Sequence, residues 1–172
     1  HWRGSIPLRE TVECMEELKA KGRIRAWGVS NLDTADMQEL FAQPDGTHCA
    51  ANQVLYNVSS RGIEYDLLPL MQEQGIPVMA YCPLAQAGQL RRGLMQNPVL
   101  RQIAAEHEAT VPQVMLAFLL SHPGVIPIPR TGRAEHTLQN AGAAQLKLTL
   151  DDLARIDKTF TPPRRKTHLE IV

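Results

Sequence analysis

Neither positive nor negative charge is in excess in this 172-residue sequence, because 18 lysines and arginines balance 18 aspartates and glutamates. A neutral chain lacks the positive surface that holds a phosphate backbone, so we exclude nucleic acid as a partner. Long hydrophobic runs are also missing: the longest covers residues 114–120, whereas a membrane-spanning helix needs about 20 apolar residues. The sequence therefore predicts a globular chain that does not enter a membrane.

Cysteine is scarce as well. Cys14, Cys49 and Cys82 are odd in number and far apart in the chain, so they fit neither a disulfide framework nor clustered zinc-ligand spacing. A reducing, cytoplasmic environment suits this usage, and no metal site is predicted. The sequence also lacks the charged start, apolar core and small-residue cleavage site of a secretory signal.

What the sequence does contain is an alternation of short apolar strands with amphipathic helices. Strands are predicted to start at residues 24, 50, 76 and 125, with two equal spacings followed by one about twice as long. This pattern indicates right-handed parallel crossovers, the last with an extra helix. Residues 82–96 are predicted to form a loop. Polar residues that follow the strands should meet at the carboxyl ends of the sheet.

The number of strands is small for a closed eight-stranded barrel, which takes about 250 residues. The sequence also begins with His1 rather than methionine. An open half-sheet would leave two unpaired edges and one uncovered face, which is an aggregation hazard. We therefore expect the chain to be the carboxyl-terminal part of something larger, or half of an assembly.

Five short strings, taken in order, carry a family resemblance. They are His1-Trp2-Arg3-Gly4, Gly28-Val29-Ser30-Asn31, Asn52-Gln53, Tyr81-Cys82-Pro83-Leu84 and Ile128-Pro129-Arg130, the last followed by Gln139-Asn140. Over about residues 1 to 160 the chain thereby resembles the aldo-keto reductases. The resemblance implies an extended NADPH without a Rossmann glycine motif, and the sequence has no such motif.

The fold implied by the resemblance is α/β, namely the C-terminal half of a (β/α)8 TIM barrel. Residues 1–172 would supply about four βα units, a C-terminal helix and a tail. The N-terminal half of the barrel would be absent from this chain. The family is often monomeric, and the sequence leaves the oligomeric state open.

Two residues at the start of the chain are implied to face the substrate. His1 would donate a hydrogen bond to the substrate carbonyl and orient it, which neutral imidazole can do. Trp2 would form a wall of the substrate pocket. On the residues alone, His1 is a terminal histidine and Trp2 a packing residue.

The nicotinamide of the cofactor is implied to bind at the first three strand ends. Ser30, Asn31 and Gln53 would hydrogen-bond its carboxamide, which offers both donors and acceptors. Tyr81 would stack on the ring. On the residues alone, Ser30 and Asn31 can equally cap the following helix, and Tyr81 can equally be a packing residue. Asn52 is interpreted as structural, with its amide holding a loop.

The phosphates are implied to bind after the last two strands. Arg130 and Thr131 would contact the 2′-phosphate of the adenosine, which favours NADPH over NADH. Without the resemblance, Arg130 and Thr131 are interpreted as solvent-exposed residues that cap a helix. Cys82 and Leu84 would lie in the pyrophosphate loop. Cys82 replaces the commoner serine and is given no nucleophilic role, since no partnered base is identifiable.

The adenine end departs from the family pattern at two positions. His136 stands where many members carry arginine, and Gln139 stands where many carry glutamate. Asn140 matches the pattern and would face the adenine. All three are interpreted as cofactor-binding residues.

The resemblance implies NADPH-dependent reduction of a small aldehyde or ketone to an alcohol. The family's aspartate, tyrosine and lysine lie upstream of the His-Trp motif, so the chain by itself is expected not to turn over. One alternative is a non-catalytic nicotinamide-cofactor-binding or scaffolding fragment. A third hypothesis is another TIM-barrel enzyme with a phosphorylated substrate. The native substrate is not readable from the sequence.

Overall fold

The computed structural model describes residues 1 and 4–172 and contains one parallel sheet. Its strands follow one another in space as they do in the chain. They are β1 (Val29–Ser30), β2 (Asn52–Leu55), β3 (Val78–Tyr81) and β4 (Val125–Pro127). Each neighbouring pair is parallel. The predicted α/β class and parallel crossovers are therefore confirmed.

Eight α-helices connect and flank these strands in the described part of the chain. They are α1 (Leu8–Ala20), α2 (Thr34–Phe41), α3 (Leu67–Glu73), α4 (Gln89–Gln96), α5 (Pro98–Glu106), α6 (Val111–Leu120), α7 (Ala134–Gly142) and α8 (Leu150–Thr159). Short 3-10 turns lie at Gly46–His48, Gly62–Glu64 and Ala143–Gln145. The helices supply most of the hydrophobic core that covers one face of the sheet.

Helix α4 lies where a loop was predicted, so that prediction was wrong. The helix follows Gly88, which has a φ of 127° and no side chain with which to cap it. Gly93 lies within the helix, and glycine is a poor helix former. The usual start signal is therefore missing from the sequence.

Strand β1 is also shorter than predicted. Only Val29 and Ser30 pair with β2, opposite Asn52 and Gln53. Before these two residues, the chain is joined to the segment that leads into β2 by a backbone hydrogen bond. In it, the amide of Ala50 donates to the Trp27 carbonyl at 2.8 Å. The backbone is thus aligned with β2 before the regular ladder begins.

The side chains of the sheet alternate between two faces. One residue from each strand lies on the less buried face, and these four residues are in register across the sheet. They are Ser30, Gln53, Met79 and Ile126. Val78 and Val125, one position earlier, belong to the buried core. Ile126 keeps 47% of its surface exposed, so the helices cover the other face. Tyr81, two residues after Met79, shares the uncovered face.

Polar side chains cap the first amides of several helices. Asp33 caps α2 by accepting from the Thr34 amide at 2.8 Å, and Asn97 caps α5. Thr149 and Asp152 form a capping box at the start of α8. Ser5 does not cap α1, which begins at Leu8 with no side-chain cap.

The α8 capping box joins a buried polar cluster. The Asp152 carboxylate is 1% exposed and accepts from the Thr149 amide, the Thr149 hydroxyl and His107 Nε2 at 2.7–2.8 Å. It also bonds Arg155. Burial acts to raise the pKa of Asp152, but these hydrogen bonds outweigh it and hold the pKa below its usual range. The cluster fastens α8 to the end of α5.

We expect Asp152→Asn to lower the free energy of unfolding by about 1–3 kcal/mol near pH 7, because charge-assisted hydrogen bonds are lost in the buried site. A carboxyl with a lowered folded-state pKa stabilises above its unfolded pKa and loses that contribution as pH falls through the folded value. The difference between the two proteins should therefore shrink in acid. Urea unfolding of both proteins at pH 7 and at successively lower pH values measures this difference in stability.

Asp151→Asn is the matched control, since Asp151 pairs with Arg155 at 3.1 Å but keeps a side chain that is 80% exposed. An exposed ion pair contributes little. Equal destabilisation by the two substitutions would contradict the assigned role of Asp152.

Candidate active site

The end of β1 is fastened to the neighbouring strand. Ser30 Oγ donates to the Gln53 carbonyl oxygen at 3.0 Å, and the Asn31 amide donates to the same oxygen at 2.8 Å. Asn31 has a φ of 56°, in the left-handed region where asparagine is more common than most residues. The Ser-Asn turn is therefore held in one geometry by β2.

Three predicted residues meet in a cavity of about 340 Å³ along β1 and β2, which we call the β1–β2 cavity. His1, Ser30 and Gln53 line it together with residues 26–29 and Met79. Histidine, hydroxyl and amide groups therefore share one concave surface. Trp2, the predicted substrate wall, lies outside the described residues.

Three buried polar atoms nearby have no hydrogen-bond partner within residues 1 and 4–172. They are Asn31 Oδ1 and the Tyr81 hydroxyl oxygen, and Asn52 Oδ1 is a third such atom beside them. Buried polar atoms are nearly always paired, so each such atom in a native structure calls for a partner. Tyr81 ends β3 opposite Leu55. Two of the three unpaired atoms, those of Asn31 and Tyr81, therefore belong to residues predicted to contact the nicotinamide.

The remaining predicted residues surround two adjoining cavities. The β3–β4 cavity, of about 400 Å³, is lined by residues 82–87, residues 128–132 and Arg91. The α7 cavity, of about 100 Å³, contains the predicted 2′-phosphate and adenine residues. These are Arg130, Thr131, His136, Gln139 and Asn140, joined by Leu84, Arg91 and Pro112.

The predicted residues thus form two groups on neighbouring strands. His1, Ser30 and Gln53 lie at β1 and β2, whereas the phosphate and adenine residues follow β3 and β4. Tyr81 and Asn31 line none of these three cavities. In the order of the sheet, the strand that ends at Tyr81 lies between the two groups.

The loop after β4 is organised around Thr131. Its hydroxyl accepts from the Arg133 amide at 3.1 Å and lies 3.5 Å from His136 Nδ1. Helix α7 begins at Ala134 with no capping side chain on Arg133. The first amides of a helix favour an anion, and the positive side chain of Arg130 adds to that preference.

The loop after β3 is a strained turn held by a residue that the sequence analysis did not find. Cys82 and Ala85 have φ values of 48° and 58°. The Cys82 carbonyl accepts from Asn57 Nδ2 at 3.1 Å and from the Ala85 amide at 2.9 Å. Asn57 is 1% exposed. The only signal in the sequence was a polar residue two positions after β2.

Asn52 has the structural role that was predicted for it. Its Nδ2 donates to the Leu32 carbonyl at 2.8 Å, and its side chain is fully buried. It therefore holds the loop between β1 and α2, next to the Ser-Asn turn.

The C-terminal tail crosses the loops that follow β1 and β2. Lys166 Nζ pairs with Asp33 and, at 2.8 Å, with Asp66 Oδ1. Burial acts to lower the pKa of Lys166, but the hydrogen bonds to both carboxylates raise it. Leu169 packs against the hydrophobic core. No pattern in the sequence indicates these ion pairs, because their members are distant in the chain.

No helix in residues 1 and 4–172 has the length and hydropathy needed to cross a membrane. The same residues contain no group of three or more histidine, cysteine, aspartate or glutamate side chains placed to hold a metal ion.

Fold and cavities together define an α/β protein with polar sites along one parallel sheet. Residues 1–160 match the aldo/keto reductase family, and the chain belongs to that family. Methylglyoxal reductase YeaE of Escherichia coli is 54% identical over all 172 residues and 61% of its own length. Glyoxal reductase of Bacillus subtilis is 34% identical over 91% of this chain and 54% of its own length.

Two solved structures show the same relationship. An aldo/keto reductase from Klebsiella pneumoniae in complex with NADP and acetate superposes with a TM-score of 0.96 at 56% identity, over all of this chain and 61% of that one. A Klebsiella pneumoniae aldo-keto reductase in complex with NADPH gives the same values. The chain therefore spans about three fifths of the length of these relatives.

We expect Lys166→Met to release the tail, because two carboxylates lose their shared cation. Backbone amides of residues 161–172 should exchange with deuterium about 5-fold to 10-fold faster, the scale of a partly exposed ion-pair network. Hydrogen exchange read by mass spectrometry measures this rate. Lys158→Met, which removes an exposed lysine of α8, should leave the tail unchanged. Equal exchange in both variants would show that Lys166 does not hold the tail.

Proposed function

We propose that this chain forms the carboxyl-terminal half of the (β/α)8 TIM barrel of an NADPH-dependent reductase. The proposed reaction is the reduction of a small aldehyde or ketone to its alcohol. Four sequential parallel strands and the family membership support the barrel. The observation that supports the reaction is that the predicted nicotinamide-binding residues and the predicted phosphate-binding residues lie at the ends of adjacent strands.

The residues present fit the cofactor at its nicotinamide end. The unpaired Oδ1 of Asn31 can accept from a carboxamide, and Gln53 offers both a donor and an acceptor. The Tyr81 ring, on the uncovered face of the sheet, offers a flat surface for a nicotinamide ring. Ser30 Oγ already donates to the Gln53 carbonyl, so it is left to act as an acceptor.

The residues also fit the cofactor at its phosphate end. Arg130 and Thr131 combine a guanidinium, a hydroxyl and the start of α7, which suits a phosphate dianion. His136, Gln139 and Asn140 line the adjoining cavity as an adenine site. Cys82 and Leu84 contribute the strained turn beside the pyrophosphate.

Bound NADPH would supply the hydride for carbonyl reduction. The role we assign to His1 is to orient the carbonyl by donating a hydrogen bond from its imidazole. His1 shares the β1–β2 cavity with Ser30 and Gln53, the carboxamide residues, which supports this role.

The proton donor of the reaction is proposed to lie outside these residues. Tyr56 is fully buried and donates its hydroxyl to Glu64 at 2.7 Å. Burial raises the pKa of Tyr56 far above its usual range, which makes it a poor acid. Tyr65 lies beyond the turn at Gly62–Glu64, away from His1's cavity. The alternative, a non-catalytic nicotinamide-binding module, draws its support from this lack of a donor.

Small dicarbonyl compounds are the proposed substrates. The relatives that are 54% and 34% identical are a methylglyoxal reductase and a glyoxal reductase. The β1–β2 cavity of about 340 Å³ accommodates molecules of that size beside His1. Location in the cytoplasm stays a prediction.

NADPH should quench or shift the fluorescence of Trp27, which lines the β1–β2 cavity. Arg130→Ala is expected to raise the Kd for NADPH about 10-fold or more and to leave the Kd for NADH nearly unchanged, because the 2′-phosphate loses its cation. Arg101→Ala, on the exposed face of α5, is the control. A protein that ignores both nucleotides but binds a sugar phosphate would instead support a phosphorylated-substrate enzyme.

A sample consisting of these 172 residues should bind NADPH without reducing methylglyoxal at a useful rate. Loss of general acid catalysis costs about 10² to 10⁴ in rate. Following NADPH absorbance with and without methylglyoxal measures turnover. Full turnover by the 172 residues would place the proton donor among them and contradict this part of the proposal.

A further inference from the structure

One lysine of the C-terminal tail joins the starts of two helices. Lys166 Nζ contacts Asp33 Oδ1, the Thr34 hydroxyl at 3.2 Å and Asp66 Oδ1 at 2.8 Å. Asp33 is the N-cap residue of α2, and Asp66 is the N-cap residue of α3. Lys166 therefore bridges the loop between β1 and α2 to the loop between β2 and α3, from a position at least 100 residues further along the chain.

The bridge also keeps two negative charges together. Both carboxylates contact the same Nζ, so they are close neighbours, and both are partly buried. Within residues 1 and 4–172, Lys166 is the only cation that pairs with either of them. Like charges at such a short separation repel each other, and salt screens them less where they are partly buried. Loss of Lys166 should therefore push the start of α2 away from the start of α3, besides freeing the tail.

Asp33 connects this bridge to the nicotinamide end of the proposed site. It lies two residues after Asn31, whose amide donates to the Gln53 carbonyl and whose unpaired Oδ1 is the proposed carboxamide acceptor. Asp33 Oδ1 also accepts from the Thr34 amide at 2.8 Å. The carboxylate that Lys166 contacts is thus the same group that fastens the end of the Ser-Asn turn to the first turn of α2.

Two further contacts hold the tail, one on each side of Lys166. Before it, the carbonyl of Phe160 accepts from Arg61 Nη1 at 2.6 Å, at the point where α8 ends. After it, Leu169 packs against the hydrophobic core. The backbone around Lys166 is therefore held by its own packing, and the position of Nζ does not depend on the ion pairs alone.

We propose that Lys166 is a positioning residue for nicotinamide binding: through Asp33, it holds the Ser-Asn turn in the geometry that receives the cofactor carboxamide. This inference rests on the proposed function and extends it to a side chain that acts through another residue. Coupling between two sites is reciprocal, so a cofactor that binds the turn also stabilises the attached tail. The coupling is confined to the nicotinamide end, because the proposed phosphate and adenine residues follow β3 and β4.

Two ligands separate the nicotinamide end from the rest of the cofactor. They are NADP⁺ and adenosine 2′,5′-bisphosphate, which lacks the nicotinamide. In direct binding titrations of the purified protein, Lys166→Met should raise the Kd for NADP⁺ about 3-fold to 5-fold, the scale of a partly exposed ion-pair network. The Kd for adenosine 2′,5′-bisphosphate should not change. Lys166→Arg should retain most of the affinity for NADP⁺, because it keeps a positive charge between the two carboxylates.

The reciprocal effect is measured by hydrogen exchange of residues 161–172. In the unaltered protein, bound NADP⁺ should slow the exchange of these amides by about the same 3-fold to 5-fold, and adenosine 2′,5′-bisphosphate should not. In Lys166→Met, NADP⁺ should leave the exchange of the tail unchanged. A purely structural role of Lys166 would give faster exchange in the variant with no dependence on the nicotinamide.

Arg165→Met is the matched control, because Arg165 is the preceding residue of the tail, is also exposed and pairs with no carboxylate among the described residues. The substitution removes one positive charge and leaves the bridge intact. Both Kd values and the response of the tail to NADP⁺ should therefore match those of the unaltered protein.

The titrations distinguish this inference from the proposed function. If the unaltered protein binds NADP⁺ and Lys166→Met binds it equally well, the inference is overturned and the proposed function stands. An equal loss of affinity for NADP⁺ and for adenosine 2′,5′-bisphosphate would also overturn it, because Lys166 would then support the fold as a whole and not the nicotinamide end. Failure of the unaltered protein to bind either ligand would overturn the proposed function, and the inference with it.

Discussion

The parallel register of the sheet is the constraint on which the rest of the site depends. Ser30 pairs with Gln53, Gln53 with Met79, and Met79 with Ile126. Because each strand is parallel to the next in the order of the chain, four loops leave the sheet at the same edge. Those loops hold residues from positions 31 to 132 side by side. The register of the sheet therefore brings the proposed cofactor-binding residues of these loops to one edge.

Local chemistry made much of the fold predictable from sequence. Asp33, Asn97 and the Thr149–Asp152 pair cap helices through contacts within three residues, so the relevant partners are adjacent in the sequence. Helix α4 was missed because Gly88 supplies no capping side chain. The length of β1 was overestimated because apolar residues before Val29 resemble a strand but lack a paired neighbour along most of their length.

Candidate site residues could be predicted where a motif contains them, and not where only folding brings the groups together. The motifs indicated Arg130, Thr131 and Asn140, which the structure places around one cavity. Arg91 belongs to none of these motifs, and it lies in a helix that the sequence did not indicate. Asn57 and Lys166 act through partners at least 25 residues away in the chain, so no local pattern reveals them.

The central claim is that one extended dinucleotide joins the two groups of residues across β3. A crystal structure of the protein with NADP⁺ bound tests it most directly. The account predicts continuous density from Gln53 across Tyr81 to the wall shared by Arg91 and Arg130, with the carboxamide at Asn31. Density confined to one cavity, or a cofactor bound away from the carboxyl edge of the sheet, would contradict it.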